Sequence, residues 1–221
     1  VNIDLEHFDQ VSDLADRYPQ VSASVGVHPS EREGREPEVD ELLALADDPQ
    51  VVAIGETGLD YYYNKGDLGW QQQRFRRHVA AAREINKPLI IHMRDATADT
   101  LRILEEEGAG DVGGVMHCFV EDWDTARAAL DLGMYISLSG IVTFHSAGSL
   151  RAVAARMPAN RLLIETDSPY LAPVPHRGKS NQPAWVRHVA ECIANVRETG
   201  VEEIAEITTR NYVELFGELP A

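Results

Sequence analysis

Four short apolar runs in this chain each lead to a residue that can bind a metal ion. They are Val52-Ala53-Ile54-Gly55-Glu56, Leu89-Ile90-Ile91-His92, Gly114-Val115-Met116-His117 and Leu162-Leu163-Ile164-Glu165-Thr166-Asp167. Runs of this length suit buried strands. A carboxylate where a buried strand gives out is costly unless a cation or a hydrogen bond meets it. Taken singly, each also reads as a cap or as a core group satisfied by backbone. Four such endings together point to one shared centre. Glu56, His92, His117 and Asp167 form a mixed nitrogen and oxygen set, suited to zinc, manganese or magnesium rather than to a thiolate-loving ion. Such a set can hold two divalent cations bridged by Glu56 or Asp167, which together activate a water and stabilise the leaving oxygen of a phosphodiester. Glu56 has the longer side chain and is the better bridge. Asp167 is short and fixed just before Ser168-Pro169, which makes it the expected acceptor of the attacking water's proton. Glu165, two residues earlier, is expected to accept a hydrogen bond from a ligand histidine. The sequence holds no Gly-x-Ser-x-Gly elbow, no phosphate-cradling P-loop and no Cys-x-x-Cys pair.

The elements that must position these residues alternate. Helical spacing runs over 6–18, after Pro37, over 71–86, around Leu101, from Trp123 to Leu130, from Leu150 to Met157 and twice more near the end. Between them lie six strand patterns: 21–28, the four runs above, and 134–138. In the 71–86 helix, Phe75, Val79, Ala82 and Ile85 make the apolar side, and the opposite face carries Arg74, Arg77 and Glu84. Gly58 to Tyr63 reads as a loop with an acid and three aromatics. Strand, loop and helix recur at about thirty residues, the pattern of parallel strands with crossover helices. An open doubly wound sheet and a TIM-like (β/α)8 barrel both fit. The barrel is favoured because it converges strand ends on one mouth. Val1-Asn2-Ile3 reads as the tail of a further strand, so one strand-helix pair is expected upstream. No linker divides the 221 residues, and a single domain over 1–221 is expected.

Composition narrows the partners. With 44% hydrophobic and 25% charged residues the chain is of ordinary globular type. No run reaches membrane-spanning length, and no signal segment opens the chain. Two cysteines, Cys118 and Cys192, make no disulfide framework, which fits a cytoplasmic setting. Cys118, next to a ligand-type residue in a strand, is expected to point away from it as a packed thiol. The net charge of -16 gives no steering toward a polyanion or an anionic membrane. A nucleic acid would have to be captured locally. Arg177 and Lys179, in the proline-rich 172–183 loop, are the expected phosphate contacts, and Tyr61, Tyr62 and Tyr63 are candidates for stacking on bases. No obligatory protein partner is implied.

Several blocks resemble the TatD-type metal-dependent deoxyribonucleases of the amidohydrolase superfamily. They are Val25-Gly26-Val27-His28-Pro29, Gly55-Glu56-Thr57-Gly58-Leu59-Asp60-Tyr61, Lys87-Pro88-Leu89-Ile90-Ile91-His92, His117-Cys118-Phe119, Glu165-Thr166-Asp167-Ser168-Pro169-Tyr170-Leu171 and Arg177-Gly178-Lys179-Ser180-Asn181-Gln182-Pro183. The resemblance implies a TIM-like barrel and two divalent ions (zinc, magnesium or manganese). It implies Glu56, His92, His117 and Asp167 as ligands, with His28 as a further site residue, so that Asp167, Glu56 and His28 form the expected catalytic set. It implies hydrolysis of DNA phosphodiester bonds, on single strands or at 3′ ends. One feature departs from the pattern. The family's first strand ends in a His-x-His pair, absent here; His7 falls in the first helix. The pair is expected upstream of Val1, and the alternative is a relative with a crippled metal site. Two other functions stay open on the residues alone. One is an amidohydrolase-type hydrolase of a small ester, amide or phosphoester; the other is a metal-free binding module.

Overall fold

Glycine decides where the backbone of the longest strand can go. In the computed structural model, which describes residues 1–218, strand β2 (Val51–Asp60) runs beside its neighbour β3 (Leu89–Arg94) so closely that a Cβ is excluded at two positions. A Cβ on Gly58, at φ +130°, would lie 2.0 Å from the His92 carbonyl oxygen. A Cβ on Gly55, at φ +151°, would lie 2.6 Å from the Ile90 carbonyl oxygen. Only glycine takes these backbone conformations without strain.

The remaining elements are α1 (Phe8–Arg17), β1 (Ala23–Val25), α2 (Val39–Ala46), α3 (Gly69–Ile85), α4 (Thr97–Glu106), β4 (Gly114–Met116), α5 (Trp123–Asp131), β5 (Met134–Leu138), α6 (Gly148–Arg156), β6 (Leu162–Ile164), α7 (Val186–Val196) and α8 (Val201–Phe216). They fall into two compact units, Val1–Val115 with the chain from Val213, and Met116–Tyr212. In the first unit β1 pairs with β2 and β2 with β3, all parallel. Ile54, Leu59, Leu89, Ile91 and Phe75 are fully buried there. In the second unit β5 and β6 pair parallel, Ile136 to Leu162 through Leu138 to Ile164. Met134, Ile136, Leu138, Val153 and Ile193 form its core. Strands buried on both faces read as continuous apolar runs, which is why these segments were visible as such. Among the described residues no helix is long and apolar enough to cross a membrane.

Three expectations need correction. The strands do not stop at Glu56 and His92: β2 and β3 stay paired from Thr57↔Ile91 to Asp60↔Arg94. Gly58, Leu59 and Asp60 are therefore strand, and the loop starts at Tyr61. The register shifts between Ile54 and Thr57, and such a bulge re-aims the side chain it contains, here Glu56. Arg74 is not on a solvent face but 2% exposed. Its guanidinium is satisfied by the carbonyls of His28 and Glu31, at 3.0 and 2.7 Å, and by the Glu36 carboxylate. Residues 1–3 carry no strand assignment, yet the carbonyls of Asn2 and Ile3 accept from the Glu56 and His28 amides at 2.9 Å.

Gly58→Ala is expected to destabilise by about 1–3 kcal/mol, the cost of overpacking, and to lower the melting temperature by at least about 2 °C. The clash is with backbone rather than a mobile side chain. An unchanged melting curve would show that β2 and β3 are not in this contact.

Candidate metal centres

Two clusters of donor atoms stand out, one in each unit. In the first, His28, Glu56 and His92 offer atoms that all lie within 4.8 Å of one another. His92 Nδ1 is 3.1 Å from Glu56 Oε1. Its other nitrogen, Nε2, is 3.1 Å from Asp60 Oδ2. Asp60 is 1% exposed, so the Nε2 proton is given to a buried acceptor. The lone pair is then left on Nδ1, directed at Glu56. Burial works against a charge on His92, but the hydrogen bonds and charges of Asp60 and Glu56 outweigh it and hold the His92 pKa above its ordinary value. Burial likewise works to raise Asp60, and the His92 ring with the Tyr63 and Tyr62 amides reverses this and holds the carboxyl below the usual range.

His28 differs. Its Nδ1 accepts the Ser30 amide at 3.1 Å, so the neutral ring carries its proton on Nε2. That nitrogen lies 3.2 Å from His92 Nδ1 and 3.5 Å from Glu56 Oε1. His28 is thereby shaped as a proton donor facing the pair, and His92 with Glu56 as the donors of lone pairs.

The second cluster repeats the first. His117 Nδ1 gives its proton to Glu165 Oε2 at 3.0 Å, and His117 Nε2 faces Asp167 Oδ1 at 3.3 Å. The second oxygen of Glu165, Oε1, is buried with no hydrogen-bond partner. Asp167 stands just past β6 at φ +57°, a left-handed conformation that Asp tolerates better than most residues. Asn181, 5% exposed, fixes this turn. Its side-chain amide donates to the Thr166 and Tyr170 carbonyls at 2.8 and 2.7 Å, and its backbone amide donates to Pro169 O at 2.9 Å. Cys118 bonds Ser139 through sulfur at 3.1 Å, and burial first, then Glu165, pushes its thiol up to about 12.

The donor sets fit divalent ions. With metal–nitrogen bonds of about 2.0–2.1 Å, two ligands of a tetrahedral ion stand roughly 3.3 Å apart. His92–Glu56 at 3.1 Å and His117–Asp167 at 3.3 Å match that edge. In both pairs the far ring nitrogen is held by a carboxylate, the arrangement that fixes tautomer and ring angle in metal sites. The four expected ligands thus stand as two pairs.

The other expected site residues are placed as follows. Tyr61 turns its hydroxyl to Asp99 at 2.8 Å, where Gln72 also donates to it. Arg177 lies over the Phe144 ring, 3.6 Å from its centroid, and Lys179 is exposed. Asp60 and Asn181 lie inside the quoted motif blocks, but nothing local in the sequence marks their roles. Arg74 and His78 had no motif to mark them. His78, one helical turn beyond Arg74, is fully buried. It takes the Val27 amide on Nε2 at 3.0 Å and gives its Nδ1 proton to Arg74 O at 2.8 Å. Together they grip the chain on both sides of the Val27–His28 peptide.

Comparison with known proteins agrees with this chemistry. The TatD-related DNase family profile matches residues 1–217, and the chain belongs to that family. It is similar to the uncharacterized metal-dependent hydrolase YcfH of Escherichia coli K12, 55% identical over 205 residues, 92% of this chain and 77% of the relative. It is also similar to the 3′-5′ ssDNA/RNA exonuclease TatD of Edwardsiella piscicida, 36% identical over 214 residues, 94% and 82% of the two chains. Among solved structures, the TatD homologue YjjV of Escherichia coli K12 superposes with a TM-score of 0.90 at 27% identity, over 98% of this chain and 85% of that one.

Burial drives the His78 pKa down from 6.5 to about 4. The folded value lies below the unfolded one, so the folded protein resists a proton that the unfolded chain accepts. The stability tied to a neutral His78 is complete above about pH 6.5 and is lost as pH falls toward about 4, roughly 3 kcal/mol in all. His78→Gln keeps an amide in place of the ring and cannot titrate. The stability gap between wild type and this variant, from urea unfolding, is expected to shrink by that order between pH 7 and pH 4. A gap that stays constant would show that His78 is not held neutral.

Proposed function

We propose that this chain is a divalent-metal-dependent hydrolase that cleaves DNA phosphodiester bonds on single strands from the 3′ end, with residues 1–221 contributing six strands, as one domain, to a barrel of the TIM-like (β/α)8 type. The observation that carries the reading is the repeated unit of carboxylate, imidazole and carboxylate: Asp60–His92–Glu56 and Glu165–His117–Asp167. Two such units suit a pair of ions, and the name of the Edwardsiella piscicida relative supports the substrate class and polarity.

Glu56 and His92 would hold one divalent ion, and His117 and Asp167 the other. Such ions, when bound, neutralise phosphate charge and ready a water for attack. The chain's own residues do the rest. Asp60 and Glu165 keep the rings in the tautomer that leaves a lone pair inward. Asp167 accepts the attacking water's proton, being short and fixed by the Asn181-braced turn. The new bond joins water oxygen to phosphorus, and the bond to the sugar oxygen breaks. His28 presents Nε2–H as a donor to a phosphate or departing oxygen. Arg177 and Lys179 supply local positive charge to a chain whose net charge of -16 gives no long-range help.

Asp167→Asn keeps shape and removes charge and basicity. With manganese or magnesium supplied and end-labelled single-stranded DNA as substrate, kcat is expected to fall at least about a hundredfold, the scale of general-base catalysis. Circular dichroism should remain that of the wild type. A folded, metal-loaded variant with near-normal kcat would make Asp167 a structural carboxylate and overturn this mechanism.

A further inference from the structure

The loop leaving β2 exposes two adjacent aromatic rings. Tyr62 and Tyr63 are 50% and 66% exposed. Their ring centroids are 4.9 Å apart and the rings are nearly perpendicular, at 88°. The Arg94 guanidinium lies over both, 4.2 Å from the Tyr62 centroid and 4.8 Å from that of Tyr63. A cation against each ring orders side chains that would otherwise swing free in water.

The position of this cluster is set by the first candidate centre. Asp60 gives one carboxylate oxygen to His92 and the other to the backbone amides of Tyr62 and Tyr63, at 3.0 and 2.8 Å. Gln71 of α3 clamps the Asp60 backbone on both sides, accepting its amide at 2.9 Å and donating to its carbonyl at 3.1 Å. Arg94 lies two residues beyond His92 on the same strand. One buried carboxylate therefore orients a ring of the centre and the base of the aromatic pair together. Tyr61 is excluded from the pair because its hydroxyl is tied down to Asp99.

We propose that Tyr62, Tyr63 and Arg94 form a stacking platform for one unpaired base of a single-stranded nucleic acid, beside the His92 centre. The proposal rests on the phosphodiesterase reading above. Aromatic faces take any base, so the platform is indifferent to sequence. Arg94 adds a positive charge where a polyanion must come close to a strongly acidic chain. A base inside a duplex already stacks on its neighbours and gains nothing from the platform, so the preference is for single strands.

The test compares wild type with Tyr62→Ala/Tyr63→Ala and with Tyr62→Phe/Tyr63→Phe, which keeps the rings. Binding of a short fluorescein-labelled oligothymidylate is read by anisotropy. Cleavage of the same oligonucleotide and of bis(p-nitrophenyl) phosphate, too small to span centre and platform, is read in parallel. The alanine pair is expected to weaken oligonucleotide binding about tenfold, within the range for lost base stacking. It should lower the preference in kcat/KM for oligonucleotide over small ester by a similar factor, and the phenylalanine pair should restore both. Equal binding and equal preference in the alanine pair and wild type would overturn the platform, as would a loss that phenylalanine fails to rescue. If wild type cleaves neither ester, the phosphodiesterase reading fails, and the binding comparison alone still decides whether the rings hold a base.

Discussion

An imidazole nitrogen that keeps its lone pair cannot rest against a carboxylate oxygen unless something positive lies between them. Both clusters impose that condition. Asp60 and Glu165 each take the proton from the outer nitrogen of a histidine, at 3.1 and 3.0 Å. The inner nitrogen then meets Glu56 or Asp167 at 3.1 or 3.3 Å. At the first site a proton can also relieve the opposition, on His92 itself or through the His28 Nε2–H that faces the pair. A divalent cation relieves it at the distance the atoms already keep. The partnerless Oε1 of Glu165 is a further buried acceptor beside the second pair.

Much of the surrounding structure maintains these placements. Gly55 and Gly58 let β2 lie on β3 so that Glu56 and His92 can meet. Helix α3 reaches out three times. Gln71 clamps Asp60, Arg74 takes the His28 carbonyl, and His78 takes the Val27 amide. Each bond is made by a buried polar side chain that would cost stability if left unmet. In the second unit Asn181 does the same for the turn that carries Asp167. Rigid support of this kind is what lets a few donors stay within bonding geometry of an ion.

The sequence made the order of elements plain because parallel strands are apolar runs and helices show their own period. The ligand-type residues were legible because a charged or imidazole side chain after such a run is conspicuous. Strand ends were not legible at Glu56 and His92: a polar residue looks like a terminus, whereas paired backbone continued to Asp60 and Arg94. Arg74 was misread for a similar reason. Periodicity places an arginine in solvent, whereas in the fold Arg74 makes four hydrogen bonds to two carbonyls and a carboxylate. Asp60 stood in view, but its two-sided bond to His92 and to the tyrosine amides depends on a strand bend that no local pattern encodes.

The central claim is that the two imidazole–carboxylate pairs are divalent-cation sites. Anomalous diffraction from crystals of this protein soaked in zinc tests it directly. The account predicts one peak roughly 2.0–2.2 Å from His92 Nδ1 and Glu56, and another at that distance from His117 Nε2 and Asp167. Crystals saturated with zinc that show no peak at either pair, with the rings and carboxylates in their present positions, would contradict it.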